Sequence, residues 1–180
     1  MAPHKNQHYV PRCYLKPFTL NGDGRVINVY NAVRQKGIAA APVKGQCARS
    51  YFYGKDLQLE KLVQKSEELY STTIRRVALR TPISDDHRRL LRHFSLLQYC
   101  RTEAASRRMA MAYSEMSEIA FSGNPPDEMK VPFGEFVQDG MRAFADSFHA
   151  IDDLKVCLIW NNTNRQIITS DDPSKLTNRW

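Results

Sequence analysis

Two stretches of helical periodicity, divided by a proline, constrain the fold of this chain more than any other feature. From residue 56 to about residue 80, apolar side chains recur every three or four positions, which is the spacing of an amphipathic helix. Pro82 ends this pattern, and Ser84 then stands where a helix N-cap is expected. A second helical pattern runs from there to about Phe121. The sequence therefore predicts two long antiparallel helices.

The remaining patterns predict a third helix and a small amount of β-structure. Glycine and two prolines at 122–126 interrupt the helical pattern, which resumes from Phe133 to about His149. Residues 25–30 are rich in β-branched and aromatic side chains and are expected to form a strand. Two similar runs, 156–160 and 166–169, flank a polar turn at 161–164 and indicate a β-hairpin.

We therefore expect an α+β fold that is mainly helical, with two long antiparallel helices and a third. A small antiparallel sheet would combine the strand at 25–30 with the hairpin at 156–170. The 180 residues suit one domain, 1–180. Its parts are an N-terminal loop and strand segment at 1–55, a helical core at 56–150 and a C-terminal hairpin at 155–175.

Composition favours an acidic partner and excludes several classes of protein. The net charge of +7 is typical of proteins that bind DNA or RNA. No apolar run reaches the roughly 18 residues of a membrane span, so a soluble, cytoplasmic protein without membrane contact is expected. The motifs of P-loop proteins, serine hydrolases, zinc proteases and dinucleotide-binding proteins are missing. The sequence indicates no oligomeric state.

A buried arginine is the strongest candidate functional residue. Gln98 and Arg101 share the face of the second predicted helix that Phe94 turns to the core. A guanidinium cannot lose its charge there and must find a partner, for which Glu67 and Glu60 of the first helix are both suitable. Such a pair would either fix the register of the two helices or form part of a site.

Other polar residues have a structural and a functional interpretation of the same kind. His8 lies near the N-terminus, where a surface or capping role is common. Asp171 and Asp172 follow the second arm of the predicted hairpin, where they could bind a metal ion or form an Asx turn before Pro173. Exposed arginines that could contact phosphates, or form a solvated surface, are Arg12, Arg75, Arg76, Arg88 and Arg92.

An ordered set of short motifs covers nearly the whole chain. Its members are Asn6 to Pro11 with Tyr14, Leu15 and Phe18, Arg25–Tyr30, Tyr51–Tyr53, Leu59-Glu60 with Glu67, Phe94 with Gln98, Arg101 and Thr102, and Trp160 with Thr169–Pro173. This set resembles the bacterial family called domain of unknown function 4238. The resemblance implies a shared architecture and polar constellation without a reaction, and it implies a short or truncated family member. Asp172 stands where the family usually has asparagine.

Two functions of different classes fit these observations. The first is a metal-dependent nuclease or phosphodiesterase in which Glu67 and Asp171 hold Mg²⁺ or Mn²⁺, His8 is the general acid or base and Arg101 stabilises phosphate charge. Supporting contacts would come from Tyr9, Tyr14, Glu60, Gln98, Thr169, Ser170 and Asp172. The second is a non-catalytic module that binds nucleic acid or protein and in which the same polar residues are structural.

Overall fold

The computed structural model describes residues 5–177 and is mainly helical. Within this range the helices are α1 (Arg12–Leu15), α2 (Gln58–Ala78), α3 (Asp85–Arg101), α4 (Glu103–Ala120) and α5 (Phe133–Asp146). The strands are β1 (Asn6–His8), β2 (Val26–Asn31), β3 (Lys36–Pro42) and β4 (Ala48–Ser50). Single 3₁₀ turns lie at Lys16–Phe18, Val43–Gly45 and Asp127–Met129. The predicted α+β, mainly helical fold class is confirmed. None of these helices is long and apolar enough to cross a bilayer.

Helix α2 and the start of α3 lie at the positions that the sequence predicts, and the predicted N-cap is present. The Ser84 side chain accepts a hydrogen bond from the His87 backbone amide, which satisfies one of the free N–H groups at the start of α3. Two aspartates in the first turn complement the positive end of the helix dipole. Tyr70 of α2 stacks on Phe94 of α3, with 3.6 Å between ring centroids. This stacked pair lies at the centre of the contact between the two helices.

The prediction of one continuous helix from Ser84 to Phe121 is wrong, because the chain leaves the helical conformation at Thr102. The backbone of Thr102 is extended, with φ −74° and ψ 158°. Its hydroxyl oxygen accepts a hydrogen bond from the Ala105 amide at 3.1 Å and thereby caps a new helix, α4. A threonine hydroxyl can accept a hydrogen bond from a backbone amide in this way, so that one helix ends and another begins. The break lets α4 pack against α5.

Small antiparallel sheets and the strand near residues 25–30 are present as predicted, but the predicted pairing of this strand with a C-terminal hairpin at 156–170 is wrong. Strand β2 pairs with β3 in an antiparallel hairpin, and β1 pairs with β4. Residues 156–170 form no strand. Val156 and Leu158 are nevertheless half-buried while Cys157 and Ile159 are exposed, so the alternation that suggested a strand is real.

Arginine side chains of α3, and not a neighbouring strand, donate hydrogen bonds to the backbone of this segment. The Arg92 guanidinium donates to the Leu154 carbonyl at 2.8 Å, and that of Arg88 lies 3.5 Å from the Val156 carbonyl. Val156 and Leu158 pack on the cluster that Tyr70 and Phe94 belong to. The segment therefore lies against α3, with side chains of the helix as its hydrogen-bond partners.

Two hydrophobic clusters form the core. The first joins the N-terminal segment to the helices and contains Tyr9, Val10, Leu15, Ile27, Val43, Phe52, Tyr53, Val63 and Val137. The second, between α2 and α3, contains Tyr70, Leu91, Phe94 and Leu97. Met141 of α5 packs against both clusters. Helix α5 therefore links the N-terminal segment to the pair α2 and α3.

The close approach of α5 to α3 depends on Gly140. A Cβ atom at this position would lie 2.5 Å from the Cys100 carbonyl oxygen, so the helices would have to move apart. We expect Gly140→Ala to lower the free energy of unfolding by about 1–3 kcal/mol, as overpacking of a core does. Gly134→Ala in the same helix is the control, because a Cβ there meets nothing within 4 Å. Equal urea-unfolding midpoints for the two variants would contradict this account of the packing.

Candidate functional site

Arg101 at the end of α3 is completely buried, and its side chain joins segments that are distant in sequence. The guanidinium donates from Nε to the Tyr53 hydroxyl and from Nη2 to the His8 carbonyl, each at 2.7 Å. Nη2 also donates to Oε1 of Glu67 at 2.7 Å, and the exposed fraction of the Arg101 side chain is 0%. The expected ion pair across α2 and α3 is thus present, with Glu67 as the partner. We call Arg101, Glu67, Tyr53 and His8 the Arg101 network.

Tyr53 shares the burial of Arg101 and accepts the hydrogen bond from its Nε, whereas Nη1 of Arg101 has no partner among the described residues. The Tyr53 hydroxyl accepts from Arg101 and donates to the His8 carbonyl at 3.2 Å. Burial raises the pKa of Tyr53 to about 12, although the neighbouring guanidinium opposes this shift. The phenol therefore stays protonated at neutral pH and can act as both donor and acceptor.

Gln7 fixes the loop that carries Tyr53 and was missed by the sequence analysis. Its buried side chain accepts from the Tyr53 amide at 2.6 Å and donates to the Gly54 carbonyl at 3.1 Å. Gln138 of α5 donates to the Tyr53 carbonyl at 2.8 Å. In β1, Gln7 is buried between the exposed Asn6 and the half-buried His8. The only signal for this role was its position within the opening motif.

His8 takes part in the network through its backbone. Its ring is half-buried, and the nitrogen Nε2 has no hydrogen-bond partner among the described residues. Burial lowers the pKa of His8; a backbone hydrogen bond with Val43 opposes the shift, whereas Arg12 and Arg101 reinforce it. The imidazole is therefore neutral near pH 7.

The two aspartates of the closing element have different surroundings. Asp171 is exposed and forms no hydrogen bond with the described part of the chain. Its charge acts on Tyr9 and Cys47, whose pKa values are raised mainly by burial, that of Cys47 to about 12. The structure thus brings together Glu67, Arg101 and the backbone of His8, and Asp171 forms no hydrogen bond with any of them.

Asp172 is the buried aspartate and forms a second polar cluster. Its carboxylate accepts hydrogen bonds from the Thr102 hydroxyl at 2.9 Å and from Arg108 at 2.5 Å. Lys175 is a third donor to the same carboxylate. We call Asp172, Thr102, Arg108 and Lys175 the Asp172 cluster. Because Thr102 directly follows Arg101, the two polar groups meet at the break between α3 and α4.

The remaining predicted support residues make local contacts. Tyr14 of α1 and Thr169 join their hydroxyl groups at 2.9 Å, and the Ser170 hydroxyl accepts from the Asp172 amide at 3.2 Å. Glu60 is buried in α2 and accepts from Gln64 at 3.0 Å. The bond between Tyr14 and Thr169 holds the closing element, residues 169–173, against α1.

Five arginines at the adjoining ends of α2 and α3 form a basic surface. We call this surface the arginine edge; it consists of Arg75, Arg76, Arg80, Arg88 and Arg89. Within residues 5–177 none of them forms an ion pair with a carboxylate. Arg80 stacks over the half-exposed ring of Trp160, 4.8 Å from its centroid. Arg92, by contrast, pairs with Asp152 at 3.1 Å, and Arg12 lies exposed on α1.

A metal ion at the predicted ligands would compete with existing contacts. Oε1 of Glu67 already pairs with Arg101, and Asp171 forms no hydrogen bond with Glu67. The described residues contain no group of three His, Cys, Asp or Glu side chains that could hold a metal ion. Binding of Mg²⁺ or Mn²⁺ by Glu67 and Asp171 stays a prediction.

Comparison with known proteins identifies a family and no individual relative. The model of the family described as "Protein of unknown function (DUF4238)" matches residues 6–180. No curated protein matches the chain. No solved structure matches it either.

The Asp172 cluster makes stability depend on pH on the acid side. Burial alone would raise the pKa of Asp172, but hydrogen bonds from Lys175, Arg108 and Thr102 lower it below its ordinary value of 3.8. A carboxylate with a lowered pKa stabilises the fold above the pKa of the unfolded chain, and this contribution is lost as the pH falls through the lowered value. We expect Asp172→Asn to reduce the loss of thermal stability between about pH 5 and pH 3.

The control for this measurement is Asp127→Asn, because the Asp127 carboxylate is exposed and pairs with the exposed Lys130. Its melting temperature should follow that of the wild type across the same pH range. If Asp172→Asn also follows the wild type, the buried cluster does not contribute to acid stability.

Proposed function

The chain belongs to the DUF4238 family of proteins of unknown function, and we propose that it is a non-catalytic nucleic-acid-binding module whose Arg101 network is structural. The observation that carries this proposal is the arginine edge, whose five arginines have no carboxylate partners in the described chain and lie beside an accessible tryptophan. Four of them are exposed and Arg76 is half-buried. Unneutralised arginines beside an aromatic ring are the features that single-stranded nucleic acids recognise.

The burial of the Arg101 network favours a structural role for it. A residue that stabilises phosphate charge must reach its substrate, whereas the Arg101 side chain has no exposed area. Its Nε and Nη2 groups donate to Tyr53, His8 and Glu67, which belong to three different segments. Two cavities of about 410 and 600 Å³ lie elsewhere and include none of these residues in their walls.

The chemistry of the arginine edge suits a polyanion. Arginine guanidinium groups bind phosphate oxygens through two parallel hydrogen bonds, which makes them suited to the backbone of nucleic acids. Trp160 is 44% exposed and offers one ring for stacking with a base. Asp85 and Asp86 at the start of α3 are the nearest acidic residues in sequence, and they leave an excess of positive charge on this surface.

The alternative is the metal-dependent nuclease that would use His8, Glu67, Arg101 and Asp171. The neutral His8 ring with its unpartnered Nε2 is the observation that favours it, because a general base must be unprotonated. The ion pair of Glu67 with Arg101 weighs against it, because a metal ion would have to compete with the guanidinium for the carboxylate. Cytoplasmic location, which was inferred from composition, stays a prediction as well.

We expect the full chain to bind a fluorescent single-stranded RNA or DNA, with affinity that falls steeply as salt rises. Arg75→Gln with Arg89→Gln should weaken binding several-fold and reduce the slope of log K against log salt by about 1.4, since each lost phosphate contact on a single strand contributes about 0.7. Both arginines are exposed, and their side chains form no hydrogen bond or ion pair within residues 5–177, so the fold should be unchanged.

The matched control is Arg34→Gln with Lys36→Gln, which removes the same charge from the β2–β3 hairpin. Affinity independent of salt, or an equal loss in both double variants, would contradict the proposal. Incubation with Mg²⁺ and Mn²⁺ separates the two functions. Cleavage that is abolished in Glu67→Gln while the melting temperature is retained would establish the nuclease instead.

A further inference from the structure

Helix α4 leaves apolar side chains in solvent along its C-terminal half. Met116 is 71% exposed and Ile119 is 82% exposed, and Ala112, one turn before Met116, is exposed as well. Ser117, on the other side of the helix, is buried. The residues Ala112, Met116 and Ile119 therefore form a face that nothing in the described chain covers, and we call it the α4 seam.

The spacing of this face is that of a contact between two helices. Successive intervals of four, three, four and three residues separate Ala105, Met109, Ala112, Met116 and Ile119. This is the heptad spacing that places apolar side chains against a second helix. Ala105 is buried, and Met109 is half-buried beside α5. The fold thus covers only the start of the pattern, and the α4 seam is its exposed continuation.

The charged residues beside the α4 seam are complementary in one orientation of a second copy. Arg108 and Glu115 are seven residues apart, so they occupy the same flanking position of two successive heptads. In an antiparallel pair, equivalent flanking positions face each other, which sets Arg108 of each copy opposite Glu115 of the other. In a parallel pair the two residues would face Tyr113 and Ala120, which carry no charge.

Both charged groups have hydrogen-bonding capacity left for such a pair. Glu115 is exposed and forms no hydrogen bond or ion pair with residues 5–177. The Arg108 side chain is 44% exposed, and only its Nη1 has an acceptor in the described chain, the carboxylate of Asp172. A guanidinium carries five N–H donors, so Arg108 can serve a second carboxylate while it keeps the first.

We propose that two copies of this chain pair through the α4 seam, with their α4 helices antiparallel about a twofold axis near Ser114. Ala112 of each copy then packs against Met116 of the other, and Met109 against Ile119. The small Ala112 permits close approach of the helices, and the flexible Met116 fills the remaining space. The contact extends over about three helical turns, so we expect a weak and reversible dimer. This inference goes beyond nucleic-acid binding and does not depend on it.

The test is sedimentation equilibrium of the full chain without nucleic acid, at concentrations between about 10 μM and about 1 mM, where weak complexes form. Met116→Lys should raise the dimer Kd at least about tenfold, because dimer formation would take an ammonium group out of water without a partner. The matched control is Met111→Lys, since Met111 is 63% exposed on another side of the same helix. Its dimer Kd should equal that of the wild type.

A second pair of variants tests the orientation. Glu115→Arg places arginine opposite arginine at both ends of the contact and should raise the dimer Kd several-fold. Glu118→Arg changes the charge equally but lies outside the seam, at an exposed position without an ion pair in the described chain, and should have little effect. All four substitutions are at exposed positions, so circular dichroism and melting temperature should match the wild type.

Several results would overturn the inference. A chain that stays monomeric throughout this range has an α4 seam that is free or covered by a different protein. Equal effects of Met116→Lys and Met111→Lys would place the dimer contact on another surface. Equal effects of Glu115→Arg and Glu118→Arg would exclude the antiparallel arrangement. Loss of nucleic-acid binding in the Arg75 and Arg89 variant, with the dimer retained, concerns the arginine edge only.

Discussion

A guanidinium group without exposed surface is the constraint on which the rest of this structure depends. Arg101 keeps its charge at any physiological pH, so the fold must supply acceptors for it. Glu67 supplies a carboxylate from α2, His8 a carbonyl from β1 and Tyr53 a hydroxyl from the loop after β4. The cost of removing this charge from water is met only when all three segments are in place. The short N-terminal strand is thereby attached to the helical core.

The break between α3 and α4 extends this arrangement to the C-terminal segment. Arg101 is the last residue of α3, and Thr102 is the cap of α4. Their side chains serve different partners, since Thr102 donates to Asp172 of the closing element. One interruption of the helix thus anchors β1 on one side and residues 169–173 on the other. The β1 segment and the closing element are attached at adjacent positions of the chain, although their sequences are distant.

The features that were predicted correctly are determined by residues that lie close together in the sequence. The periodicity of α2 and the Ser84 cap are local, and a charged residue on an apolar face requires a partner wherever it lies. The predictions that failed concern features that are determined by contacts between residues distant in sequence. Thr102 suits a helix interior and a cap equally until Asp172 is placed, 70 positions away. Gln7 likewise has no visible role until Tyr53, 46 positions away, is brought beside it.

The predicted strands of the C-terminal segment failed for the same reason, because their pairing depends on distant parts of the chain. Alternation of apolar residues at 156–160 indicated an extended chain, and half-buried and exposed side chains alternate at 156–159. Alternation does not predict the hydrogen-bond partners of the backbone. Here the Arg92 side chain donates to the Leu154 carbonyl, and no neighbouring strand is present in the described chain. The cavity of about 410 Å³ beside α3 exists because this segment lies on the helix. No local pattern could indicate that cavity before the segment was placed.

The central claim is that the forked guanidinium of Arg101, and not merely its positive charge, holds the segments together. The most direct measurement compares the free energy of unfolding of Arg101→Lys with that of Arg107→Lys, whose guanidinium pairs with Glu103 on the surface. Lysine retains the charge but cannot reach three acceptors in different directions. Arg101→Lys should lose about 3 kcal/mol or fail to fold, and Arg107→Lys less than about 1 kcal/mol. Equal small losses in the two variants would contradict the account.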